Sequence, residues 1–185
     1  MEEFWGGATL NVIRYISENY GITDFSSVKI LIIHSGGDSK RIPQYSVCGK
    51  IFSPVPHILF NGTKSTVFDE LMVAFGRIPA KIKSGMFIAS GDVLLLFNSL
   101  QLDFDSFDAA AVTFKESAER GQHHGVFLAD EHGFVKSFLH KRTVGQLTSY
   151  GAVDASGNVN IDTGAVYFGS AIVNDLYSLV SCDTG

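Results

Sequence analysis

Cysteine, proline, tryptophan and positive charge are all scarce in this chain. Its 185 residues include 2 Cys, 4 Pro and 1 Trp. Cys48 and Cys182 make neither a dense disulfide framework nor a zinc-ligand spacing, so a reducing cytoplasm is the simplest setting. With 14 Lys and Arg against 19 Asp and Glu, the formal net charge is -5, which argues against a general binder of nucleic acid or acidic membranes. A leading basic segment, an apolar signal core and a membrane-length apolar run are also missing, and the expectation is a soluble, cytoplasmic protein with no membrane partner. Low-complexity tracts and internal repeats are absent as well.

What is present is a globular pattern. Hydrophobic residues make up 45% of the chain and Phe alone occurs 15 times, enough for one domain with a substantial core. Apolar residues at Leu10, Ile13, Ile16 and Tyr20, stopped by Gly21, predict an amphipathic helix over Phe4 to Tyr20. A second helix is expected from a cap at Ser65 or Thr66 to Phe75, with Val67, Phe68, Leu71, Met72 and Phe75 inward and Gly76 as its end. A third begins near Ala171 and runs to Leu179. Strands are expected near Ala109–Phe114, Gly125–Ala129, Phe134–Leu139 and Ala165–Phe168. Adjacent strand positions face opposite ways, so His123 and His124 are read as surface or structural residues rather than a metal pair.

Against a negative net charge, any phosphate recognition has to be local. The stretch Ile30 to Pro43 offers it: four aliphatic residues, preceded by Val28, predict a strand buried on both faces, which breaks at Gly36 and Gly37 and then delivers Lys40 and Arg41, with Lys50 soon after. Two adjacent glycines let consecutive backbone N–H groups converge on an anion. Arg41 adds a planar fork of donors and Lys50 a mobile point charge, the fixed cations that phosphoryl chemistry requires. The pattern is neither a Walker loop nor a dinucleotide fingerprint, because Gly-Lys-Ser/Thr and a suitably placed third glycine are both missing. Farther on, Gly85 to Leu95 predicts a second buried strand, with Asp92 where open α/β sheets bind ligands. Asp92 is the expected metal ligand, since Mg²⁺ is held by one or two carboxylates together with substrate phosphate oxygens; a cap on the following segment is the plainer alternative. An Asp130-Glu131-His132-Gly133 turn between alternating apolar runs predicts a β-hairpin from Gly125 to Lys141. The alternating stretch Val159 to Gly169 predicts a strand interrupted at Gly164, where a bulge is one explanation.

These blocks, in this order, resemble the sugar-phosphate nucleotidyltransferases, or pyrophosphorylases. That family carries a strand, Gly-Gly-x-Gly-x-Arg-Leu and a nearby lysine; here Ser39 stands for the third glycine, Lys40 for the usual threonine and Ile42 for the leucine. Ser46 to Pro56, enclosing Lys50, looks most like the fucose-1-phosphate guanylyltransferase branch, some of whose members continue into a fucokinase domain. The similarity runs from about Val28 to Phe168. It also covers the hairpin, where the family has Tyr-Gly-x-Val and then Glu-Lys-Pro; His124, His140 and Arg142 occupy the Tyr, Glu and Pro positions. In the last block Asp162 stands for the asparagine of Asn-x-Gly.

The resemblance implies a Rossmann-like, GT-A-like α/β fold with a mixed, mostly parallel sheet between helices. It implies one nucleotidyltransferase domain over residues 1–185, incomplete at its end, with a second metal ligand beyond residue 185. C-terminal β-helix and kinase domains are further implied in the longer protein. The substrates would be GTP and a sugar 1-phosphate, and the cofactor Mg²⁺. Ser35, Gly36, Gly37 and Ser39 would cradle the nucleotide phosphates, Arg41 and Lys50 would be catalytic, and Asp92 would hold the metal. Gly125, Lys141, Asp162 and Gly164 would meet the sugar phosphate, Asp162 as an acceptor for hydroxyls. The implied reaction is guanylyl transfer to fucose 1-phosphate. Another hexose 1-phosphate and nucleotide is the alternative within enzymes, and a nucleotide-sensing or assembly domain is the alternative outside them; Arg41, Lys50 and Asp92 occurring together argue against the latter.

Overall fold

The computed structural model describes residues 4–35, 49–91, 93–95, 97–98, 101–104 and 106–181. The chain divides into two compact units, one formed by residues 1–110 and 166–185 and the other by residues 111–165. The elements run α1 (Phe4–Tyr20), β1 (Lys29–His34), β2 (Pro54–Ile58), β3 (Lys64–Thr66), α2 (Val67–Phe75), β4 (Gly85–Ser90), β5 (Ala109–Ser117), α3 (Ala118–Gly121), β6 (Gly125–Ala129), β7 (Val135–His140), α4 (Val144–Ser149), β8 (Asn158–Phe168) and α5 (Ser170–Ser181).

In the first unit β1 and β4 pair in parallel, in register from Lys29 opposite Gly85 to His34 opposite Ser90. The end of β8 returns antiparallel along β4, Met86 opposite Phe168 and Ile88 opposite Val166. Every residue of β4 is buried, as its continuous apolar run predicts. Its alternate side chains serve two layers. Met86 and Ile88 join Ile30 and Ile32 of β1, Ile13 of α1 and Val173 of α5 in one cluster. Phe87 faces the other way, with ring centroids 5.3 Å from Phe75 of α2 and 5.7 Å from Phe104, which in turn lies 5.2 Å from Tyr167. Side chains as fully buried as these each contribute about 1.5–3 kcal/mol. Thr66 begins α2 through a capping box, its hydroxyl accepting from the Asp69 N–H while the Asp69 carboxylate accepts from the Thr66 N–H.

The second unit is built on β6, β7 and β8. β6 pairs antiparallel with β7, Gly125 opposite His140 and Phe127 opposite Phe138, and with β8, Val126 opposite Ile161 and Phe127 opposite Asn160. β5 pairs with β8. Val126, Leu139, Val159 and Ile161 pack against Ala118 of α3 and Leu147 of α4 to form this unit's core. The hairpin turn is pinned by Asp130, whose carboxylate accepts from the N–H groups of His132 and Phe134.

Three expectations are corrected. The sheet is mixed and mostly antiparallel, not mostly parallel: β1–β4 is its parallel pair, whereas β8 reverses against both β4 and β6, and β6–β7 is a hairpin. β1 is buried on one face rather than two, with Ile30 and Ile32 inside and Leu31 41% exposed, because among the described strands it pairs with β4 alone and ends the row. Met72 and Tyr20 carry the right period but lie outside, Met72 on the solvent side of α2 and Tyr20 at the C-terminal end of α1.

Candidate active site

The first unit gathers its candidates at the carboxyl ends of the parallel pair. β1 hands the chain to Ser35, and β4 hands it to Gly91. The Gly91 N–H donates to the His34 carbonyl at 2.8 Å, extending the ladder one residue beyond the strands. Space at this corner is spent: a Cβ at position 91 would lie 3.0 Å from the His34 carbonyl oxygen, 3.2 Å from Ser35 Cα and 3.3 Å from Ile33 Cγ2. Gly49 lies against the same corner, since a Cβ there would be 3.9 Å from the Ser35 carbonyl oxygen. Ser35 and Gly49, which bracket residues 36–48, are thus brought together beside Gly91. Lys50 follows at once, half-buried at the start of a 3₁₀ turn over Lys50–Phe52. Gly36, Gly37, Ser39, Lys40, Arg41 and Asp92 lie outside the described residues.

Two side chains that flank these segments in sequence carried no signal of their own. The His34 ring shares a 3.1 Å hydrogen bond with the Thr9 hydroxyl of α1, and burial pushes its imidazole below the ordinary value of 6.5. Ser53, three residues after Lys50, has its hydroxyl oxygen buried with no hydrogen-bond partner among the described residues. A buried hydroxyl of that kind is costly unless something bonds it.

The second unit brings Gly125 and Asp162 into contact. Counting one step from the Val126–Ile161 pair puts them opposite each other, and a Cβ at position 125 would lie 3.3 Å from Asp162 Cβ. Phe138 covers the same bare backbone, its Cε2 2.7 Å from that point, which is why the position takes glycine. Asp162 accepts the Gly164 N–H at 2.8 Å, and Gly164 has φ of 71°, but the expected interruption is only a local kink: β8 runs unbroken from Asn158 to Phe168 with its alternation intact. Lys141 also has positive φ, 46°, and its N–H donates to the His124 carbonyl at 2.9 Å, closing the open end of the hairpin. His140 enters this group through the register that sets it opposite Gly125. The signal for it was present in the alternation of Lys136, Phe138 and His140 along one side of β7.

For a divalent cation, the described residues contain no group of three or more His, Cys, Asp or Glu able to enclose one. They do fix Gly91, the neighbour of Asp92, at the strand ends. No helix among the described residues is long and apolar enough to cross a membrane.

The fucose pyrophosphorylase domain model matches residues 23–184. The chain is 28% identical over 207 residues to a bifunctional fucokinase/GDP-fucose pyrophosphorylase of Arabidopsis thaliana, a match covering 94% of this chain and 20% of that protein. It is 30% identical over 167 residues to the human fucose-1-phosphate guanylyltransferase, covering 83% of this chain and 27% of the relative. A 29% match to an L-fucokinase/L-fucose-1-P guanylyltransferase of Bacteroides fragilis covers 55% of this chain and 11% of the relative. The chain therefore spans about a quarter or less of the length of these curated relatives.

Proposed function

Because the chain belongs to the fucose pyrophosphorylase domain family, we propose that it transfers a guanylyl group from GTP to fucose 1-phosphate, giving GDP-fucose and pyrophosphate. The observation that carries this reading is the extent of the family match, which takes in both the Ser35–Lys50 block and the Gly125–Gly164 block. The human relative is named for that activity. The finer fold is Rossmann-like and GT-A-like, residues 1–185 belong to one nucleotidyltransferase domain, and the protein works in the cytoplasm. The name of the Arabidopsis relative supports a kinase domain, and the reading adds a β-helix domain, in a full-length form of this protein.

A phosphate oxygen of fucose 1-phosphate attacks the α-phosphorus of GTP in line. The new P–O bond forms as the bond to the bridging oxygen of the β-phosphate breaks, and that oxygen keeps the electron pair in pyrophosphate. The attacking group is already an anion, so no protein nucleophile is needed and catalysis is positioning and charge stabilisation. Ser35, Gly36, Gly37 and Ser39 hold the triphosphate, while Arg41 and Lys50 offset charge on the transferring and leaving groups. Lys141 meets the sugar phosphate, Asp162 accepts from sugar hydroxyls, and Gly125 and Gly164 lie beside it, Gly125 beneath the Phe138 ring. Mg²⁺, held by Asp92 and phosphate oxygens, would neutralise the triphosphate.

Pyrophosphate release with GTP, UTP or ATP, each paired with fucose 1-phosphate or another hexose 1-phosphate, tests the reading. Turnover confined to GTP and fucose 1-phosphate is expected. Preference for another pair would reassign the substrates, and nucleotide binding without any turnover would replace the enzyme by a sensing domain.

A further inference from the structure

We infer that the outward face of β6, β7 and β8 is the platform on which the sugar ring rests, and that Phe138 is the residue that makes it selective for a sugar. This rests on the function proposed above and goes beyond it in naming what recognises the acceptor's carbon skeleton. The register puts Phe127 opposite Phe138 and Asn160, and Gly125 opposite His140 and beside Asp162. Side chains alternate across a strand, so these six residues share one face, while Val126, Leu139, Val159 and Ile161 turn to the other and meet α3 and α4. One face is thus a closed core. The other carries two phenylalanines, a histidine, an amide and a carboxylate.

Phe138 remains 47% exposed, although its centroid is only 4.9 Å from Phe127 and 6.3 Å from His140. A large ring held that firmly yet left half in solvent offers apolar area with little rotamer freedom still to lose, which is what a ligand contact needs. The Phe127 and Phe138 rings meet at 53°, so they present an angled corner and not a flat slot. A puckered pyranose, with C–H groups on one face and hydroxyls around its rim, fits such a corner better than a planar base. Its C–H groups would lie on Phe138, and its hydroxyls would reach the Asp162 carboxylate, whose Cβ approaches the same bare backbone of Gly125. A 6-deoxy sugar has a methyl group in place of a hydroxymethyl group and so turns one more apolar group toward the aromatic surface than a fully hydroxylated hexose.

The test compares the wild-type 185-residue chain with Phe138→Leu, which keeps an apolar cover over Gly125 and removes the ring. Saturation-transfer NMR, irradiating aromatic protons in the presence of fucose 1-phosphate or GTP, reads contact without turnover, and steady-state kinetics and melting temperature are measured in parallel. In the wild type, transfer should reach the ring and methyl protons of fucose 1-phosphate. In Phe138→Leu it should weaken, KM for fucose 1-phosphate should rise on the order of tenfold, KM for GTP should hold, and the melting temperature should fall by no more than a few degrees. An unchanged KM for fucose 1-phosphate overturns the platform, and so does transfer that reaches the guanine proton instead. Should the wild type bind fucose 1-phosphate by NMR yet form no GDP-fucose, the proposed reaction fails while the platform stands. Absence of fucose 1-phosphate binding in the wild type removes the platform.

Discussion

Replacing Gly91 with alanine tests how closely the strand ends are fitted to the chemistry proposed for their neighbours. The added methyl would enter a corner where the His34 carbonyl oxygen, Ser35 Cα and Ile33 Cγ2 stand at 3.0, 3.2 and 3.3 Å. Ordinary carbon contacts settle at about 3.5–4.0 Å, so each neighbour must yield by a few tenths of an ångström. Two of the three are backbone atoms in the β1–β4 ladder, and relief has to come from displacing either Ser35 or residue 91. Overpacking of this size costs about 1–3 kcal/mol, or a fall in melting temperature of about 2–4 °C per kcal/mol in a chain of this length. The functional loss should be larger, because Ser35 opens the segment proposed to hold the nucleotide and residue 91 precedes Asp92, the proposed metal ligand. A shift approaching 1 Å costs about a hundredfold in rate, so a drop of tenfold or more in kcat is expected from a displacement of several tenths. The assay is guanylyl transfer at saturating substrates, at a temperature well below the melting midpoint of both proteins. Equal turnover in Gly91→Ala with a lowered melting temperature would refute the reasoning, since the corner would then be structural and unconnected to catalysis.

Arg41→Ala should reduce kcat far more than stability, and a matched loss of folding by circular dichroism would remove Arg41 from the catalytic set. His34 supplies a pH dependence: its folded value is depressed below 6.5, so the unfolded chain binds more protons as pH falls through that value. Stability from this group is therefore complete above pH 6.5 and is lost as acid carries the solution toward the folded value; the melting temperature of the wild type should decline over that interval more steeply than that of His34→Gln. Leu147→Ala empties a fully buried position in the second unit's core and should cost about 2–5 kcal/mol in chemical denaturation. Tyr167→Phe removes a 2.8 Å buried hydrogen bond to the Ser84 carbonyl and should cost about 1–3 kcal/mol by the same measurement.

The elements that the sequence made legible are those whose signal is local. α1 shows its 3.6-residue period from Leu10 to Ile16, and β4 is a continuous apolar run bounded by glycines. The β6–β7 hairpin was written in its Asp-Glu-His-Gly turn. Strand direction is not local, and the reversal of β8 against β4 came from nothing near Phe168 in sequence. The β2–β3 pair and α4 are short and weakly periodic, so they passed without notice. Within the candidate site the blocks could be read one by one. What could not be read was adjacency: Asp162 meets Gly125 through a register fixed by Val126 and Ile161, and Phe138 joins them because glycine leaves room for its ring.

The two units close on different schedules during synthesis. The second is continuous in sequence, residues 111–165, and its hairpin and turns involve near neighbours, so it can fold as soon as it emerges. The first is split around it. Its core waits for Val173 to reach Ile13, and the Phe25 N–H waits for the Asn174 carboxamide oxygen, 149 positions later. At about 5–20 residues per second, α1 waits about 8–32 s on the ribosome, and β1 and β4 somewhat less, with their apolar faces unsealed. That interval is when a chaperone would have most to gain by holding this chain. A mutation that weakens α5 would then show up as poor yield in cells before it shows up as poor activity in the purified protein.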